Sequence, residues 1–117
     1  KKSYLHIRDI SRGELAILKH GQVGQIYHLS PDKAVSIRSL VERICKLKGK
    51  SFDEAVRLVG ERPGQDAVYL MDSSKARTEL GWKPEISFEQ GLKEIVKWVD
   101  DFWPEIRTES LVYQHKV

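Results

Sequence analysis

Cysteine, methionine and long apolar runs are all scarce in this chain. Of its 117 residues, one is cysteine and one is methionine. A lone cysteine excludes an internal disulfide, and no zinc-ligand spacing accompanies it. Cys45 falls within an apolar helical pattern, so it reads as a buried, inert thiol and not as a nucleophile. That usage fits a reducing, cytoplasmic setting. The four histidines, His6, His20, His28 and His115, are never within a few residues of one another, which suggests no metal pair. No apolar run approaches the roughly 20 residues that span a bilayer, and no signal peptide is visible. The glycines are scattered, with neither a dinucleotide-binding fingerprint nor a Gly-x-Ser-x-Gly elbow. An excess of one charge is also missing: 20 basic residues face 17 acidic ones, for a net +3. The densest basic stretch, Lys46 to Lys50, sits at a predicted helix end, where cations are locally favourable. It reads as a solvated face, and a nucleic-acid partner is not expected.

What is present is enough for one small domain with one core. Tyr4–Ile7, Gln25–Leu29 and Val68–Met71 are short branched or aromatic runs and predict three strands. Asp9 is placed to cap a helix with Ile10, Ile17 and Leu18 on its apolar face, ended by Lys19-His20-Gly21. Ser36 caps the clearest amphipathic helix, through Ile37, Leu40, Val41, Ile44 and Leu47. Ser51-Phe52-Asp53-Glu54 is a capping box that opens a short helix carrying Phe52, Ala55, Val56 and Val59. Asp72 or Ser73 caps a fourth helix, which Gly81 terminates and against which Trp82 can pack. Ser87-Phe88-Glu89-Gln90 opens a fifth, and Pro104 should stop it. The expected fold class is therefore α+β, with about five helices and three short strands. The domain should span 1–103, with a tail over 104–117. The chain does not begin with methionine and enters abruptly into a strand, as a piece of something longer would.

One stretch offers binding chemistry. In Glu61-Arg62-Pro63-Gly64-Gln65-Asp66, proline biases Arg62 toward an extended backbone and glycine permits a turn. A guanidinium presented this way suits phosphate oxygens. The residues alone favour a surface turn in which Arg62 pairs with Glu61 or Asp66. His28 ends a strand beside a loop, a place where ligand contacts concentrate. No nucleophile or general base shows support, so no catalytic residue is expected.

The same stretch, with Tyr69, Asp72, Ser74-Lys75 and Glu79-Leu80-Gly81-Trp82-Lys83-Pro84, resembles the C-terminal part of NAD-dependent nucleotide-sugar enzymes. These are extended short-chain dehydrogenase/reductases: dTDP-glucose 4,6-dehydratase-like enzymes, 4-epimerases and decarboxylases. Tyr4-Leu5-His6-Ile7-Arg8-Asp9 and Gly24-Gln25-Ile26-Tyr27-His28-Leu29 are similar to two further segments of that family. The likeness runs from about Lys2 to Val99. It implies a nucleotide-sugar-binding lobe whose partner, an N-terminal Rossmann domain holding NAD and the catalytic Tyr-x-x-x-Lys, lies outside this chain. None of the chain's tyrosines is followed by lysine four positions on. By that resemblance Arg62 contacts the diphosphate, Asp66 the ribose, and Tyr4 lines the nucleotide pocket. Gln65 stands where dehydratases often have histidine, and His28 where they often have asparagine. Lys2 stands where a second phosphate-facing arginine is common; it keeps the charge and loses the fork. The implied partners are a nucleoside diphosphate sugar and further copies of the protein. The other reading is a non-catalytic interaction module.

Overall fold

The computed structural model describes residues 1–60 and 63–110. Among these described residues six helices follow one another: α1 Ile7–His20, α2 Ile37–Leu47, α3 Phe52–Ala55, α4 Ser74–Leu80, α5 Phe88–Asp101 and α6 Trp103–Ile106. They fall into two sets. The first helix packs on α4, while α2 touches α3 and α5, and α5 touches α6.

The α+β expectation is overturned, because no strand forms among the described residues. Only two isolated bridges occur, and both use Lys2: antiparallel to Val35 and parallel to Tyr69. A branched or aromatic run becomes a strand only when a neighbour runs beside it for several residue pairs. Here Tyr4–Ile7 turns into α1 at Ile7, Gln25–Leu29 gains no bridge, and Val68–Met71 contributes Tyr69 alone. The result is an all-helical lobe tied by extended segments.

Caps account for most helix ends. Ser36 and Ser87 accept hydrogen bonds from the amides of Ser39 and Gln90 and start α2 and α5 as expected. Gly81 closes α4 in the left-handed region, at φ 62°. Three details differ. Helix α1 begins before Asp9, capped by the His6 imidazole, whose Nδ1 accepts from the Arg8 amide at 3.2 Å. The Ser51 box makes no side-chain cap bond, and the extended backbone of β-branched Val56 ends α3 after four residues. Pro104 does not merely stop α5; it lies in the first turn of α6, where a missing amide hydrogen costs nothing.

The buried apolar core is small: Cys45, Ala76, Trp82 and Leu92. Asp9 holds its two halves together. Its side chain is fully buried, and it accepts from the amides of Glu85 at 3.2 Å and Ile86 at 3.1 Å. Arg12 pairs with the same carboxylate. The indole Nε1 of Trp82 donates to the Asp9 carbonyl at 2.9 Å. Helix α1 is thereby fastened to the turn that launches α5. Gly13 makes the contact possible, since an added Cβ would lie 2.5 Å from Leu29 Cδ1 and 2.9 Å from Trp82 Nε1.

Much apolar surface stays uncovered. Val23, Val59, Leu18, Leu58 and Ile26 are each three-quarters exposed or nearly so. Leu18 is thus not on a buried face as its spacing predicted. The Cα radius of gyration, 17.6 Å, exceeds the roughly 13 Å expected of a compact domain this long.

Candidate functional site

The site begins where Lys1–Ser3 threads between two other segments. The Lys2 amide donates to the Val35 carbonyl at 2.9 Å and the Val35 amide returns the bond at 2.8 Å. On the other side Ser3 donates to Tyr69 at 3.0 Å, and Tyr69 donates to Lys1 at 2.9 Å. Four backbone bonds fix Lys2 beside the segment that leaves the Pro63-Gly64 turn. Gly64 carries the positive φ, 78°, that such a turn needs.

Tyr4 follows, and its ring meets Phe88 at 5.8 Å with the planes tilted by 50°. Arg43 lies over the other partner, 5.1 Å from the Phe88 centroid. These residues belong to an open cleft of about 670 Å³, lined also by Lys33, Arg77 and Ser87. Arg43 pairs with Glu89, and Arg77 with Asp32 at 2.9 Å. Arg77 further donates to the Ser30 carbonyl at 3.3 Å and the Ser73 hydroxyl at 3.1 Å. Ser73 Oγ donates to that same Ser30 carbonyl at 2.9 Å, so the cleft floor is internally bonded. Lys33 and Lys83, also on the lining, form no ion pair among the described residues.

His28 is exposed, two residues before the anchored Ser30. The Ser74 hydroxyl and amide, at 2.6 and 2.8 Å, hold the Asp72 carboxyl below its ordinary range, and His28 adds a smaller pull in the same direction. His28 therefore faces the field of Asp72, three residues beyond Tyr69. Gln65 and Asp66 are exposed in the turn next to the Lys1–Tyr69 contact. Arg62, the residue on which the sequence reading centred, lies outside the described residues. Of the six sequence-selected positions, Tyr4 lines the cleft, Lys2 is bridged by backbone to Val35 and Tyr69, and Gln65 and Asp66 lie exposed in the segment between the Pro63-Gly64 turn and Tyr69. His28 stands on the loop nearby.

Arg43, Arg77 and Phe88 were not singled out from sequence. They come from three different helices, and only the Ser73–Arg77 spacing of four hinted at one of their bonds. Among the described residues no trio of His, Cys, Asp or Glu is placed to hold a metal ion, and no helix is long and apolar enough to cross a membrane.

Comparison with known proteins gives the family. Residues 1–95 match the family model of GDP-mannose 4,6 dehydratase. A dTDP-glucose 4,6-dehydratase of Streptomyces niveus is 38% identical over 101 residues, covering 86% of this chain and 30% of the relative. The crystal structure of a dTDP-glucose 4,6-dehydratase from Streptomyces venezuelae, with NAD and TYD bound, superposes with a TM-score of 0.79 at 32% identity, over 85% of this chain and 30% of that one. A UDP-glucose 4-epimerase from Bifidobacterium longum, in complex with NAD+ and UDP, gives 0.74 at 26% identity, over 85% and 30%. The chain spans about a third of the length of these relatives. It belongs to the GDP-mannose 4,6 dehydratase family, the NAD-dependent, nucleotide-sugar-modifying branch of the extended short-chain dehydrogenase/reductases.

Proposed function

We propose that this chain is the substrate-holding part of an NAD-dependent nucleotide-sugar 4,6-dehydratase. Its binding portion is residues 1–103, and residues 104–117 form a tail. The observation that carries the proposal is the backbone pairing of Lys1–Ser3 with Tyr69, which ties Lys2 to the segment that follows the Pro63-Gly64 turn. Two cations from segments 60 residues apart would then grip one diphosphate. Tyr4 gives the base an aromatic wall, and Gln65, Asp66 and His28 supply polar contacts to the nucleoside. When bound elsewhere in the whole protein, NAD supplies hydride acceptance and return. No glycine-rich phosphate cradle occurs in this chain, so its own residues bind and orient. Diphosphate binding fixes the hexose in place before chemistry starts, which lowers the barrier by removing translational freedom.

The apolar surface around Val23, Ile26, Leu58 and Val59 supports burial against a Rossmann-type domain of the same polypeptide, and the whole protein self-associates. The epimerase relative supports a second reading, with the same lobe serving a 4-epimerase. Mass spectrometry after incubating the whole protein with a nucleoside diphosphate hexose separates these readings. A product lighter by one water is the expected result. An isomer of unchanged mass would favour the epimerase. Loss of carbon dioxide from a uronic acid sugar would favour a decarboxylase. An unaltered sugar that also fails to bind would favour an interaction module.

A further inference from the structure

Helices α2 and α5 pack side by side and leave a groove of about 560 Å³ between them. Its floor is apolar: Leu92 is buried, while Leu47 remains 39% exposed. Arg43, Lys46, Glu89 and Lys93 form its lips. The cations of these two helices, and of the residue ending α2, otherwise neutralise themselves. Arg38 pairs with Glu42, Arg43 with Glu89, Lys48 with Asp100 and Lys97 with Asp101. Lys46 and Lys93 are the exceptions. Among the described residues neither has an ion-pair partner, and they stand on opposite helices across this slot.

We propose that this groove binds an acidic amphipathic segment of a partner protein. An apolar side chain would descend onto Leu47 and Leu92, and carboxylates flanking it would meet Lys46 and Lys93. The charge pattern selects such an occupant. A basic segment would bring like charge against both lips, and a neutral apolar one would leave both ammonium groups uncompensated. The concave form also favours a narrow segment over a flat anionic bilayer. The Arg43–Glu89 pair lines both this groove and the Tyr4 cleft, so the two hollows share a wall.

Fluorescence anisotropy of a labelled helical peptide, with leucines on one face and glutamates on the other, tests the proposal against the 117-residue chain. Lys46→Gln/Lys93→Gln should weaken binding about tenfold, as two exposed charge pairs would. Lys19→Gln/Arg57→Gln, of equal net charge, should leave it unchanged. Replacing the peptide's leucines by serine should weaken binding as well. Equal loss in both double variants would overturn the proposal, as would equal affinity for a lysine counterpart of the peptide. Binding of phosphatidylserine vesicles through Lys46 and Lys93 without binding of the peptide would assign the groove to a membrane. A dimer abolished by Lys46→Gln/Lys93→Gln in sedimentation would assign it to a second copy. Either result would also overturn the proposal.

Discussion

Replacing Asp9 by alanine would cut the fastening between α1 and the start of α5. The carboxylate accepts from Glu85 and Ile86 and pairs with Arg12, and all three partners would lose it together. The Trp82 bond would survive, because it goes to the Asp9 carbonyl and not to its side chain. Arg12 would keep Glu85. Two amides, however, would be left in a part-buried turn with no acceptor. Losing two part-buried hydrogen bonds to a charged acceptor costs about 1.5–2.5 kcal/mol each, about 3–5 kcal/mol together. A chain this long has a total stability of about 6–17 kcal/mol, so the loss is a large share. With a urea slope of about 2 kcal/mol per molar, the midpoint should fall by about 1.5–2.5 M. Far-UV circular dichroism during urea unfolding measures it. Asp9→Asn retains one acceptor oxygen and should lose about half as much. A midpoint corresponding to less than about 0.5 kcal/mol of change in Asp9→Ala would refute the claim that this carboxylate holds the lobe together.

Other consequences follow from the same geometry. Gly13→Ala should cost about 1–3 kcal/mol by overpacking, since its Cβ would meet Leu29 and the Trp82 ring nitrogen; a thermal midpoint equal to that of the parent would contradict this. The Glu94 carboxyl lies below its ordinary value chiefly through its hydrogen bond to the Arg8 guanidinium, and Asp72 through Ser74. Both lowered groups add stability that is fully present above the ordinary carboxylate range, about pH 4. It is lost as pH falls through their folded values below that. Carbon-13 titration of both side chains should place their midpoints below those of the same groups in unfolded peptides, and midpoints at or above those would contradict the assignment. Light scattering of the 117-residue chain should show mass rising with concentration, because Val23, Ile26, Leu58 and Val59 are uncovered; a constant monomer mass would count against this.

Helices α2, α4 and α5 were legible because each carries its own signal. Ser36 and Ser87 sit one residue before apolar patterns of helical period, and Gly81 offers a left-handed stop. The strands were misread for a physical reason. Val68–Met71 has the composition of a strand, yet a ladder is a property of two segments, and one segment cannot report its neighbour. His6 looked like a strand residue because its role as a cap depends on ring orientation. Asp9 looked like a cap because its partners, Glu85 and Ile86, lie more than 70 residues away. For the site, the family's motifs offered Lys2, Tyr4 and the Arg62 turn as candidates. The cleft lining of Arg43, Arg77 and Phe88 required the packing of α2, α4 and α5, which no local pattern encodes.

The central claim is that the Arg62 turn holds the diphosphate of a nucleotide sugar. Isothermal titration of the 117-residue chain with a nucleoside diphosphate hexose, beside Arg62→Ala and Arg62→Lys, tests it most directly. Removing charge-assisted bonds worth about 1.5–3 kcal/mol should weaken Arg62→Ala by about ten- to a hundredfold. Arg62→Lys should recover part of the loss, because charge returns without the fork. Equal affinity in the parent and Arg62→Ala would contradict the account.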